Sequence, residues 1–344
     1  MELNVPFEFP DLLSTLELPA GARVFLKDNE RIKREERMDV SYRLSSLLRM
    51  GRTYFVQAER GTIALRPLLL YYGILNYTKA IVLLHHRTSK TTNSTQHGLS
   101  TARKKTTNQE YWRDRIYLKR RGAMLDWLMT FDSVNLKPLL KAEQDCAFKI
   151  DELWGCIPEV DDLQLIMNRS RRTSPYAIER KSKDSVFGTQ FTLAADLPKR
   201  CQMTQEEIEI LFIQNGRSDS CETCPSEVRF AQNESLVRNH ELQQIEHPLR
   251  CRRTFKTLGI GNTVFIPPAI HHEIPFLPEP FIWTCLLFHA SMIARYEAEE
   301  WVSLVGEDSS VETLMMKRLC TLVIREFPHY LIEQIIGSRQ SETS

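Results

Sequence analysis

Apolar residues in this chain gather into a few long runs separated by polar stretches, and the spacing inside each run predicts its element. After a charge-rich connector at 27–37, Tyr42, Leu44, Leu47, Leu48, Tyr54, Phe55 and Ala58 recur at mostly helical spacing. They predict a helix opened by Asp39 as N-cap and stopped by Gly61. A second helix follows at once, with Pro67 in its first turn, where the missing N–H does no harm. Two helices joined by so short a turn form an antiparallel hairpin. The second helix is apolar nearly all round from 68 to 84, the pattern of a buried core helix. It nevertheless keeps Asn76 and Lys79 among Leu, Ile and Tyr. Buried polar groups cost free energy unless each finds a partner, so these two invite a functional explanation.

The rest of the chain is more mixed. The first 35 residues look irregular, with a short strand expected at 23–27, and the Ser/Thr/Asn-rich stretch 87–105 reads mostly as loop. A basic segment at 113–121 predicts a short strand, turning after Gly122 into a short helix carrying Met124, Leu125, Trp127 and Leu128. Strands are expected at 186–193, 208–213, 227–231 and 263–266, with 214–248 as a polar insertion. The chain becomes helical again at 281–296 and 311–336. The expected fold is mainly α with a minor β component, an α+β protein. An irregular segment (1–37) precedes a helical hairpin (38–100). A mixed α/β middle region (101–279) follows, and then C-terminal helices (280–344) that pack on the hairpin to bury both apolar runs.

Composition changes this picture little. At 344 residues, 42% hydrophobic and 26% charged, the chain can bury a sizeable core, and a net charge of +1 supplies no global field toward nucleic acid or lipid. Any nucleic-acid contact must come from local patches. The eight cysteines are thinly spread and the start of the chain lacks a signal-peptide pattern, so reduced thiols and a cytoplasmic location are expected. A spanning helix needs about 20 mostly apolar residues. The run 68–84 is interrupted by Asn76 and Lys79, and 281–294 is shorter with His289 inside, so no membrane span is expected. No phosphate-binding loop with a following Lys occurs, and no Gly-x-Ser-x-Gly element, which sets aside ATPase and serine-hydrolase chemistry.

Three groups of residues could carry chemistry. Tyr72, Asn76 and Lys79 fall on one helical stripe, a polar notch suited to a phosphate or an unstacked base, with Arg66 on the same helix added to the ligand-binding set. His97, entering from the loop beyond, could serve as general acid or base, with Lys79 offsetting phosphorane charge and Asn76 assisting. The bland alternative has Asn76 bonding a neighbouring backbone, Lys79 reaching solvent and His97 capping a helix. The basic set Arg113, Arg115, Lys119, Arg120 and Arg121, with Tyr111, Trp112 and Tyr117 interleaved, has the charge and stacking surface that a single strand requires. Cys221 and Cys224 have zinc-ligand spacing but lack a second tight pair, so no metal and no cofactor is expected. The pair His271-His272 reads as loop, because adjacent strand residues point to opposite faces.

With Tyr54-Phe55, the 66–79 stretch, His97-Gly98-Leu99, the 291–301 segment and Arg325-Glu326-Phe327-Pro328 in view, the chain resembles the YaaC-like family of bacterial proteins. That resemblance spans most of the chain and fixes ancestry more than activity. The aromatic-rich helix followed by a polar loop and His-Gly also resembles HEPN-type helical domains, found in RNases, toxins and antiviral systems. Catalytic members place an Arg and a His four to six residues apart. Here the nearest spacings are Arg325 to His329, interrupted by Pro328, and His289 to Arg295 in reversed order. The resemblances imply an RNA- or nucleotide-binding component of a bacterial stress or phage-defence system. They also imply a homodimer with an operon-encoded protein partner. The alternatives are a metal-independent RNase using His97 with Asn76 and Lys79, and a non-catalytic interaction scaffold.

Overall fold

The computed structural model describes residues 11–27, 29, 32–85, 96–101, 111–130, 146–167, 174–183, 186–195, 198–199, 204–207, 225–231, 264–266, 277–306 and 310–340. The chain divides into two compact units. The first comprises 1–136, 140–149 and 280–344, and the second comprises 137–139 and 150–279.

The first unit begins with helices α1 (Asp11–Leu16) and α2 (Pro19–Leu26), where irregular chain and a strand at 23–27 were expected. Residues 23–27 are a short apolar run between two cations, a pattern open to strand or helix, and Phe25 and Leu26, three and four residues beyond Ala22, bury one helical face with it. Glu17 fastens this corner to the next helix. Its carboxylate accepts from Arg52 at 3.0 Å and its backbone carbonyl from Arg49 at 2.9 Å.

Helices α3 (Arg37–Arg60) and α4 (Arg66–His85) form the expected hairpin. Helix α3 starts ahead of Asp39, which instead pairs with Arg43 one turn on at 3.3 Å. Gly61 ends it. The two helices cross antiparallel and close. Gly51 lies beneath the Tyr77 ring, and a Cβ on Gly73 would sit 2.6 Å from the Phe55 ring. Phe55, Tyr77 and Phe327 then form an aromatic cluster with centroids 5.3–6.1 Å apart. By length and composition α4 could cross a membrane, but most of it is buried inside the protein.

Three further helices complete this unit: α8 (Glu279–Tyr296), α9 (Ala298–Val305) and α10 (Val311–Gln340). Trp301 of α9 donates its indole N–H to the Ala64 carbonyl in the hairpin turn at 2.8 Å. His85, at the end of α4, meets the Gln334 carbonyl of α10 at 3.4 Å. Helix α10 runs unbroken through Pro328, so Arg325 and His329 share one continuous helix. Fold class is therefore as expected: mainly α, with a small antiparallel sheet.

That sheet is β1 (Leu99–Thr101), β2 (Arg115–Leu118) and β3 (Cys146–Lys149), in the order β1-β2-β3. It belongs with the hairpin unit, although its sequence lies in the segment read as loop and middle region. Its inner face carries Ile116, Leu118 and Phe148, and Phe148 meets Phe281 of α8 edge-on at 6.0 Å. Helix α5 (Ala123–Leu128) follows β2 and buries Trp127 against Phe281 and Phe327.

The second unit holds two short helices, α6 (Ile150–Trp154) and α7 (Asp161–Ile166), and a four-stranded sheet. Its strands are β4 (Ser174–Lys183), β5 (Val186–Ala194), β6 (Pro225–Ala231) and β7 (Val264–Ile266). The order is β6-β5-β4-β7; β4 pairs antiparallel with β5 and β7, and β5 and β6 run parallel. Strands were expected at three of these places. The strand expected at 208–213, the zinc candidates Cys221 and Cys224, and His271-His272 lie outside the described residues.

Candidate functional site

The His97-Gly98 pair owes its place to a backbone crossing. Gly98 and Gly122 both have positive φ, at 85° and 137°, conformations that L side chains rarely adopt. Their backbones touch: a Cβ on Gly122 would lie 2.5 Å from the Gly98 Cα. This contact sets the 96–98 segment across the N-terminus of α5, where Ala123 and Met124 donate N–H to the carbonyls of Gln96 (3.0 Å) and His97 (3.2 Å). On the other side, Lys119 N–H donates to the Gly98 carbonyl at 2.8 Å. The orphan donors of a helix end thereby hold the segment in place.

His97 then turns its ring onto α4 and α8. It packs edge-on against Tyr71 at 6.4 Å and tilts over Phe288 at 5.4 Å. Its Nδ1 accepts the Leu99 N–H at 3.2 Å. An imidazole that accepts at Nδ1 carries its neutral-form proton on Nε2. Burial of the ring, then the positive charges of Arg295 and Lys79, hold its pKa below the ordinary 6.5. At neutral pH His97 is therefore an uncharged Nε2–H donor.

The neighbouring charges are Lys79 and Arg295. Arg295 sits near the end of α8, and its guanidinium is pinned on several sides. Nε donates to the Ser291 carbonyl at 3.1 Å, Nη1 to the Tyr72 hydroxyl at 3.0 Å, and Nη2 contacts the Met292 sulfur at 3.0 Å. It also lies over the Tyr72 and Tyr296 rings, at 5.8 and 5.2 Å. Tyr72 in turn stacks on Tyr54 at 5.8 Å. Among the described residues neither Lys79 nor Arg295 has a carboxylate partner. Tyr71, which packs on the His97 ring, is 1% exposed, and among the described residues its hydroxyl has no hydrogen-bond partner. Burial pushes that phenol's pKa up, so it stays protonated.

The expected site residues separate into those that converge and those that do not. Tyr72 bonds Arg295, and the charges of Lys79 and Arg295 are near enough to His97 to lower its pKa. Asn76 shares the stripe of Tyr72 and Lys79, but its amide donates to the Tyr72 carbonyl one turn back at 2.8 Å. Arg66 serves the hairpin turn, donating to the carbonyls of Gly61 (2.9 Å) and Glu59 (3.2 Å) and so capping the end of α3. At 1.5 Å per residue it stands about 20 Å along α4 from Lys79, too far to share one phosphate. The basic residues Arg113, Arg115, Arg120 and Arg121 are exposed around β2, and Lys119 is half-buried.

With this geometry in hand, comparison with known proteins is decisive on ancestry. The YaaC-like Protein family model matches residues 14–335. The chain belongs to that family. No curated protein and no solved structure gives a significant match, and the HEPN likeness forms no part of the family match. The YaaC-like match runs through all of the converging residues, including Arg295, which sequence reasoning did not place in the site. Its signal was a cation closing an apolar helix, as Lys79 is a cation inside one. Two further features carry no site chemistry. Among the described residues no cluster of His, Cys, Asp or Glu could hold a metal. The buried thiols of Cys285 and Cys320 are pushed up, that of Cys320 to about 12, and so are not thiolates at neutral pH.

Proposed function

We propose that this chain is a cytoplasmic RNA- or nucleotide-binding protein whose phosphate contacts are Lys79, Arg295 and the Nε2–H of His97. The observation that carries the reading is that two cations, Lys79 and Arg295, act on a neutral donor, His97, and that among the described residues neither cation has a carboxylate partner. That donor set suits an anion and repels a metal. Tyr54 and Tyr72 beside it offer aromatic surface for a base. The bacterial stress or phage-defence setting, the protein partner and the homodimer implied by the family resemblances belong to the same proposal.

Cleavage by His97 with Asn76 and Lys79 is the weaker reading. A general base needs an open lone pair within reach of the attacking hydroxyl. The Nδ1 lone pair already accepts the Leu99 N–H, Nε2 is protonated, and the Asn76 amide is turned onto its own helix.

Fluorescence anisotropy of a labelled mononucleotide at low salt tests the proposal. Charge-assisted hydrogen bonds contribute about 1.5–3 kcal/mol, so Arg295→Ala and Lys79→Ala should each weaken binding tenfold or more. Arg66→Ala, away from the site, should bind as wild type. Equal affinity of all three variants and wild type would sink the reading. Incubation with tRNA in EDTA separates the alternatives further: cleavage that disappears in His97→Ala would replace binding by catalysis.

A further inference from the structure

The pinned guanidinium of Arg295 also touches a ring that the phosphate contacts leave unused. Tyr296 is the last residue of α8 and follows Arg295 directly. The guanidinium lies over the Tyr296 ring at 5.2 Å and over the Tyr72 ring at 5.8 Å. With the stack of Tyr72 on Tyr54, these contacts link Tyr54, Tyr72, Arg295 and Tyr296 in one chain of π and cation contacts. The two ends of that chain differ. Tyr54 is half-buried and gives ring surface to Tyr72. Tyr296 is 66% exposed even though a guanidinium already meets one face of its ring. An aromatic side chain that exposed buries little apolar area, so the core gains little from it. What it presents instead is flat ring surface beside a cation. The charges next to it in the chain are of opposite sign. Arg295 precedes it, whereas α9 opens just beyond with Glu299 and Glu300 in its first turn, both exposed. Carboxylates following the ring disfavour a second anionic group there and tolerate an uncharged one.

We propose that Tyr296 is the base-stacking residue of the anion site, and that the site's ligand is a nucleoside phosphate. Its phosphate meets Arg295, Lys79 and His97, and its base lies on the open surface of the Tyr296 ring. The proposal rests on the reading of the His97 cluster as a phosphate site and names its ligand class: a phosphate ester that carries a base, rather than a sugar phosphate or inorganic phosphate. Such a ligand is anionic at one end and flat and uncharged at the other, which matches a cation followed by a ring and then by carboxylates. Stacking uses the face that every base has, so the ring selects for a base and only weakly among bases.

The test is calorimetry on the full chain with ribonucleoside 5′-monophosphates and with ribose 5-phosphate, which keeps the sugar and phosphate and lacks the base. Wild type should bind the nucleotides about tenfold more tightly than ribose 5-phosphate, the order found for one base stack. Tyr296→Ala should abolish that preference, and Tyr296→Trp should keep it. Ser291 and Tyr72 still hold Arg295 in both variants. Ribose 5-phosphate affinity should therefore fall by no more than about fivefold in Tyr296→Ala, the size of one exposed cation–π contact. The proposal is overturned if wild type binds ribose 5-phosphate as tightly as the nucleotides. It is overturned equally if Tyr296→Ala keeps the nucleotide preference, or weakens both ligands alike, which would make the ring a support for Arg295 and nothing more. Those outcomes leave the His97 site standing. Failure of wild type to bind either kind of ligand overturns both.

Discussion

Gly122→Ala will destabilise the protein by about 3 kcal/mol, combining a backbone penalty of about 1–3 with a steric one of similar size. Two independent facts produce this. At φ 137° a residue with a Cβ is strained whatever the space around it. The added carbon would also meet the Gly98 Cα at 2.5 Å, and that neighbour is backbone that cannot swing aside. The consequence reaches function, because the crossing of these two glycines sets the carbonyls of Gln96 and His97 onto the N-terminus of α5. Moving them moves the His97 ring. Urea unfolding should show a lower midpoint at unchanged slope, with weaker nucleotide binding under conditions where the variant is still folded. A cost below about 1 kcal/mol would mean that the crossing is looser than described.

Asp114→Ala will cost about as much, roughly 3 kcal/mol, because it breaks a buried pair. The His289 Nε2 and the Asp114 carboxylate are 2.7 Å apart, with side chains 0% and 2% exposed. Tyr111 covers the imidazole, its ring 4.9 Å away. Removing the carboxylate leaves a wholly buried imidazole without that acceptor. The pair joins the entrance of β2 to α8, the helix that ends with Arg295. It therefore fixes the basic strand relative to the pinned guanidinium. Asp114→Asn keeps an acceptor in place and should cost clearly less. Equal midpoints for Asp114→Ala and Asp114→Asn in urea would show that the carboxylate is not what holds this joint.

Where the apolar pattern is long, the sequence was legible. Helices α4, α8 and α10 are apolar over many turns, and only a buried helix satisfies both the backbone and the side chains of such runs. Short elements were harder. Helix α2 has no side-chain cap, and over five residues its pattern fits a strand as well as a helix; burial of Ala22, Phe25 and Leu26 decides it. Strand β1 is three residues of a Ser/Thr-rich stretch and exists through its pairing with β2. The site was half legible for a related reason. Asn76 and Lys79 stand out because they break a local apolar rule, whereas Arg295 breaks none. Its bond to Tyr72 spans 223 residues of chain, and no local pattern reports a contact of that range. Arg66 stands out equally in sequence, but the hairpin turn uses it.

The measurement that bears most directly on the anion site is a pH titration of the His97 imidazole nitrogens by NMR. It requires histidine-labelled protein, with the signal assigned by its loss in His97→Gln. The geometry predicts the Nε2–H tautomer and a pKa below 6.5 without ligand. A bound phosphate favours the charged ring, so excess mononucleotide should shift Nε2 and raise that pKa. By linkage, affinity should then strengthen as pH falls through the same range. An Nδ1–H tautomer, with a titration curve that excess mononucleotide does not move, would contradict the account.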